Sequence, residues 1–332
     1  MNLSIFSFDY LKDLSSAFAV RKMRVVTILC LFLIILIFGM RLLWSIFFFE
    51  NFQVLAVKDL SNQTQVLGIG SSRMFYGVDP RNMPGSYVSL AANYLDMKGA
   101  ERIWSKFSED VPAVKLVFIE LSVSTLFYDM EALAPQALQP LGLDIFPEVH
   151  DFLYRPDHAV RLLLSPIYRW RLTPDFLAAH LETKTDLDEP HDKIPGFIPS
   201  TLKLSQPQLF AERKVAQTRE HMEHFGAGIF QRNLDAAERL AQALQKRGIE
   251  TVFLRFPMDK HVWPVFEQEW SNKVQIAYAQ IKSHTPNVSF IDFSHNPDFP
   301  SDEFRDPDHL NAKGALRFTG LIAPVANSGL NR

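Results

Sequence analysis

The sequence predicts an α/β protein: a doubly wound parallel sheet with a helical insertion, preceded by one N-terminal transmembrane helix. Three observations predict it. Near-continuous apolar runs such as Val114 to Leu121 (VKLVFIEL) read as strands buried on both faces. Stretches of helical period alternate with those runs, which is the rhythm of a parallel sheet with crossover helices. Finally, from Val25 to Phe49 the only full charge is Arg41.

That first run spans about 37 Å at the rise of an α-helix, enough for a bilayer core with some tilt. Lys12, Arg21, Lys22 and Arg24 precede it, while Glu50 and Asp59 follow. The positive-inside rule therefore puts the N-terminus in the cytoplasm and the rest of the chain outside. The leading segment is long and no small-x-small cleavage site follows, so the run reads as an uncleaved anchor rather than a signal peptide. Arg41 either snorkels outward or faces a partner in the membrane. The expected organisation is a cytoplasmic segment 1–23, a transmembrane helix 24–50, a linker 51–64 and an extracytoplasmic domain 65–332. Residues 1–23 mix aromatics with polar residues and are either an interfacial helix or a tail.

The chain of 332 residues, 47% hydrophobic, is long enough for one sizeable domain plus an anchor or insertion and excludes a mostly disordered protein. A formal net charge of −3 leaves no electrostatic footprint for nucleic acid. The single cysteine, Cys30, lies in the apolar run, so no intrachain disulfide exists.

Within the domain, Gln65 to Gly70 reads as the first strand, stopping at Ser71-Ser72. Tyr87 to Ala92 is the second, with Asn93 at its end; Met97 to Asp110 is a helix and Val114 to Leu121 the third strand. Residues 124–206, rich in proline and aromatics, break the rhythm as a helical insertion. They form a cap over the site, a docking surface or a packed elaboration. Gln208 to Phe225 and Ile229 to Arg247 read as two helices, the second closed by Gly248. Glu250 to Arg255 is a strand, Phe266 to His284 a helix, Val288 to Phe293 the last strand, and Ala312 to Ala326 the closing helix. The expected strand order is flavodoxin-like.

Two short blocks far apart carry the chemistry. Gly70-Ser71-Ser72 ends an apolar strand, and Asp306-Pro307-Asp308-His309 opens the last helix. A serine hydroxyl needs a base within hydrogen-bond reach, and the base needs a group to orient it. Asp308 competes with Asp306 for that orienting part, and Ser71 with Ser72 for the nucleophile.

The first block resembles the opening block of the SGNH/GDSL hydrolase superfamily, with Ser71 where the usual Asp stands, and Asp306-x-x-His309 resembles its final block. The Ser-Ser variant behind a membrane segment is most similar to the DltD-like branch, membrane-anchored proteins of cell-envelope acyl transfer. The resemblance implies Ser72 as nucleophile, His309 as base and Asp306 as its orienter. It departs elsewhere: Ala92-Asn93 replaces the glycine of the second block, and Glu120-Leu121-Ser122 stands where the family has an oxyanion asparagine. The backbone N–H at Ala92-Asn93 or the Asn93 amide is therefore the oxyanion candidate, and Glu120 and Ser122 are pocket candidates without an inherited role.

Arg73 and Arg255, both at strand ends, are either binders of a phosphate or carboxylate or surface salt bridges. His221 and His224 lack a third ligand, so no metal and no cofactor is expected. The resemblance implies an acyl-serine enzyme in the cytoplasmic membrane with its domain outside. It also implies a membrane-bound O-acyltransferase partner and an envelope polysaccharide or glycolipid acceptor. The rival expectations are a plain esterase or lipase and a catalytically idle scaffold.

Overall fold

The computed structural model describes residues 52–133, 137, 138, 141, 143, 194–264 and 268–331, together with Thr27 and Phe32. The expected cytoplasmic segment 1–23, the span 24–50 apart from Thr27 and Phe32, and most of the insertion 124–206 lie outside these residues. Among the described residues no helix is long and apolar enough to cross a membrane.

Five parallel strands form the sheet: β1 (Val66–Gly70), β2 (Tyr87–Ala91), β3 (Leu116–Glu120), β4 (Glu250–Arg255) and β5 (Val288–Asp292). Their order is β2-β1-β3-β4-β5, the flavodoxin-like order that a doubly wound chain adopts. Every residue of β1, β2 and β3 is buried, whereas the edge strand β5 is mostly half-exposed. Strand periodicity divides the side chains between two cores. Leu67, Ile69, Val117, Ile119 and Phe253 pack on one face with Ile103, Trp104, Leu240, Val274 and Ile281. Val66, Leu116, Phe118, Val252 and Leu254 pack on the other with Met74, Phe75, Phe318 and Ile322. A strand covered on both sides has no solvent face, hence the continuous apolar runs in the sequence.

Among the described residues the α-helices are α1 (Phe52–Asp59), α2 (Ser72–Gly77), α3 (Met97–Phe107), α4 (Val123–Phe127), α5 (Met130–Leu133), α6 (Pro207–Lys246), α7 (Gln268–His284) and α8 (Ala312–Leu330). Two of them correct the sequence reading. The expected linker 51–64 contains α1, which packs on β2 with Ala56 fully buried and Gln53 Nε2 donating to the Ala91 carbonyl at 2.8 Å. A polar residue on its buried side hid the helical stripe.

The two helices expected at 208–225 and 229–247 are one 40-residue helix, α6. Gly226 and Gly228 each cost about 1 kcal/mol against alanine, but neither removes a backbone donor as proline does. The buried stripe Leu234, Ala237, Leu240, Ala241 and Leu244 holds the C-terminal half against the sheet. A Cβ added at Gly228 would meet nothing within 4 Å. Gly228→Ala is therefore expected to stabilise the protein by about 1 kcal/mol, read as a higher urea midpoint at unchanged m-value.

Residues 304–310 carry the Asp306-x-x-His309 block. They form a short antiparallel ladder, β6 (Phe304–Asp306) with β7 (His309–Leu310), pairing Phe304 with Leu310 and Asp306 with His309 across a bulge. The ladder fixes the Pro307-Asp308 turn rigidly beside the C-terminal edge of the sheet.

Candidate active site

β1 ends at Gly70, and Ser71 caps α2 with its Oγ accepting the Arg73 N–H at 3.4 Å. Ser72, the first residue of α2, is half-buried, and its Oγ lies 2.7 Å from His309 Nε2. His309 Nδ1 lies 2.7 and 3.0 Å from the two Asp306 carboxylate oxygens. Asp306 Oδ1 also accepts the backbone N–H groups of Asp308 at 3.2 Å and of His309 at 3.1 Å. A carboxylate at Nδ1 selects the tautomer protonated there, which leaves Nε2 free to accept from the Ser72 hydroxyl. The Tyr76 ring meets His309 edge-on at 5.4 Å, and the Arg305 guanidinium sits 4.3 Å over Tyr76.

A buried ionic network lies behind this chain of groups. Arg73 donates to Glu120 Oε1 at 3.1 Å, to Ser124 Oγ and to Asp308 Oδ2. Lys214 Nζ, from α6, lies 3.0 Å from the same Asp308 oxygen. Glu120, almost fully buried, accepts the Ser71 N–H at 2.7 Å and the Ser122 hydroxyl at 2.8 Å. A Cβ at position 70 would lie 3.0 Å from Glu120 Cβ and 3.2 Å from its carboxylate, so a larger residue would press on this network by a few tenths of an ångström.

Burial alone would raise the Asp308 carboxyl, but the charges of Lys214, then Arg73 and His309, hold it well below the usual carboxylate range. In the same way burial opposes the charge on Arg73, and the Asp308 and Glu120 carboxylates outweigh it and raise its pKa. Lys214 is raised too, with Asp308 overcoming the desolvation.

The side chains expected at the site therefore divide. Ser72, His309 and Asp306 come together. Ser71 is buried with its hydroxyl engaged by α2, so Ser72 is the serine presented to the imidazole. The two arginines are ion-paired: Arg73 as described, and Arg255, buried, to Asp292 at 3.3 Å while it also donates to the Ser271 hydroxyl at 3.1 Å. The salt-bridge alternative describes them, although both are inside the protein rather than on its surface. Glu120 belongs to the network, and Ser122, hydrogen-bonded to it, also lines the small cavity beside Arg73 and Asp308. The Ala92 N–H is taken by the Gly70 carbonyl at 3.0 Å. Asn93 is exposed in the turn after β2, followed by Tyr94 with φ of 56°. Among the described residues no acceptor takes the Ser72 N–H.

Lys214 was not singled out from the sequence. Its signal is position: Ala211, Val215 and Thr218 are buried at helical spacing around it, and a lysine in such a stripe needs a buried anion. α6 also walls a cleft of about 340 Å³ that opens beside His309, lined by Phe210, Arg213, Lys214 and Gln217 on one side and Asp306 and Pro307 on the other. That volume falls in the range of small-molecule sites. A second cavity of about 30 Å³, bounded by Arg73, Tyr128, Lys214, Arg255 and Asp308, has room for a water or two.

Asp306, Asp308 and His309 offer three ligand atoms within 4.8 Å of one another, a spacing that a metal ion fits. The donor set argues against one. Asp306 is committed to the imidazole, and Asp308 carries a guanidinium and an ammonium that would repel a further cation. The arrangement suits proton transfer between a hydroxyl and an imidazole. Comparison with protein-family models gives no match for the chain, and comparison with curated protein sequences gives none either.

Proposed function

We propose that this chain is a membrane-anchored serine O-acyltransferase or esterase of the SGNH type, similar to the DltD-like branch, acting at the outer face of the cytoplasmic membrane. The observation that carries the reading is the continuous hydrogen-bonded line from Ser72 Oγ through His309 to Asp306, at 2.7 Å for each link. Residues 24–50 are the anchor in this reading, on the strength of their apolar sequence and the basic residues before them.

In the first half-reaction Ser72 Oγ attacks an ester carbonyl while its proton passes to His309 Nε2. Asp306 holds the imidazolium. Collapse of the tetrahedral intermediate breaks the ester C–O bond, and His309 returns the proton to the departing alkoxide, leaving acyl-Ser72 and an alcohol. In the second half an acceptor hydroxyl gives its proton to His309 and attacks the acyl carbon. The Ser72 oxygen then leaves and regains the proton. The Ser72 N–H, which no acceptor among the described residues takes, supports oxyanion binding.

The acceptor is a hydroxyl of an envelope polysaccharide or glycolipid, and the cleft beside His309, at about 340 Å³, is large enough for a small-molecule group. A membrane-bound O-acyltransferase is the partner that brings acyl groups across the bilayer. Water in place of the sugar makes the same site an esterase.

The test is labelling of the full-length protein in membranes by a fluorophosphonate probe. The expected result is one phosphonylated peptide, the one containing Ser72, and no labelling of Ser72→Ala. An intact, folded protein that resists the probe at high concentration would leave an SGNH-like scaffold rather than an enzyme.

A further inference from the structure

We infer that the sheet edge carrying Ser72 and His309 is the edge that faces the bilayer, so that the rim of the 340 Å³ cleft rests among lipid headgroups and takes a membrane-borne acyl ester from them. The inference rests on the membrane-anchor reading of residues 24–50.

The first observation is where the chain enters the domain. Phe52 lies three residues past Phe49, the end of the apolar run, so the end of the anchor is within about 11 Å of it. The Phe52 carbonyl accepts the Gly196 N–H at 2.9 Å, and the neighbouring Gln53 reaches the carbonyl of Ala91 at 2.8 Å. Ala91 ends β2 opposite Gly70, which places the entry at the catalytic edge. From Phe52 a row of ring contacts leads straight to the imidazole: Phe52 to Phe75 at 4.8 Å, Phe75 to Tyr76 at 4.7 Å and Tyr76 to His309 at 5.4 Å. The opposite edge of the sheet is a strand length away, about 17 Å for five residues.

The second observation is the composition of the rim. Leu202, Leu209 and Phe210, grouped within nine residues of sequence, are exposed at 41%, 39% and 37%. Phe210 lines the cleft with His309, and Leu202 stands two residues before Leu204, whose N–H binds the Phe304 carbonyl of β6 at 2.8 Å. Cations stand among them: Arg213 is 5.9 Å from the Phe210 ring, and Lys203 is exposed. Apolar side chains interleaved with Lys and Arg suit the boundary between acyl chains and anionic headgroups. An ester held at that depth reaches Ser72 without crossing into bulk water.

The full chain, carrying Cys30→Ser, reconstituted alone into discs of phosphatidylcholine and phosphatidylglycerol gives the test. Nitroxides are placed at Leu202→Cys and Leu209→Cys on the rim, and at the exposed far-edge positions Gln63→Cys and Asp110→Cys. Collisions with oxygen and with a water-soluble nickel chelate are then compared. Severalfold lower nickel access at 202 and 209 than at 63 and 110 is expected. Equal nickel access at both edges, or protection of the far edge, overturns the inference, as does a chain that fails to insert into the discs. Fluorophosphonate labelling of Ser72 on the same discs separates the two readings. A water-facing rim with a labelled Ser72 sinks only the docking, and a protected rim with no labelling sinks only the acyl-serine chemistry.

Discussion

Ser72→Ala, His309→Ala and the double replacement are expected to fall to the same residual rate, about 10⁴- to 10⁶-fold below the parent in kcat for a small chromogenic ester. The reason is that the hydroxyl is a nucleophile only while His309 Nε2, 2.7 Å away, takes its proton; with either group gone, the other has nothing to do. Their losses should therefore not multiply. Asp306→Asn should cost less, about 10²- to 10⁴-fold, because Asp308 Oδ1 lies 3.5 Å from the same imidazole nitrogen and keeps a negative charge beside it. A double variant that loses the product of the two single effects would show the groups acting independently and would end the triad reading.

The parts of this molecule legible in the sequence were those set by local periodicity. Val117, Phe118 and Ile119 are buried on alternate faces of one strand, so their run is apolar whatever the rest of the chain does. The parallel order followed from the alternation of such runs with helices. The meeting of Ser72 with His309, 237 residues apart, was expected only because each sits at an element boundary on the same sheet edge. What escaped were features decided by tertiary partners. The continuity of α6 through Gly226 and Gly228 depends on packing beyond them. Lys214 declares itself only once Asp308 is known to lie opposite. Arg73 and Arg255 read either as ligand binders or as surface salt bridges, because the carboxylates that bury them, Glu120, Asp308 and Asp292, come from other strands and turns.

The second large effect concerns stability. Arg73 follows the candidate nucleophile and bridges Glu120 at the end of β3 to Asp308 in the turn that carries His309. Both carboxylates are almost wholly buried. Arg73→Met is expected to cost about 3–5 kcal/mol, since it leaves Glu120 without its cation and Asp308 with Lys214 alone. Arg73→Lys, which keeps the charge but loses the fork that reaches both acids, should fall between the two.

The sign of the pH dependence follows from Asp308. Its native pKa is depressed by Lys214, Arg73 and His309 against the opposing effect of burial. Its contribution is therefore present above the unfolded carboxylate pKa of about 4 and is lost as pH falls below that value toward the native pKa. The parent should lose stability on acidification through this window. Arg73→Met should lose less, because protonation relieves the charge that the substitution left unpaired. The gap between the two unfolding free energies, read from urea titrations, should thus narrow as the pH drops from 7 to 3. A gap below 1 kcal/mol that stays constant over that range would mean that water, not Arg73, solvates these acids, and that the two halves of the site are held together by packing alone.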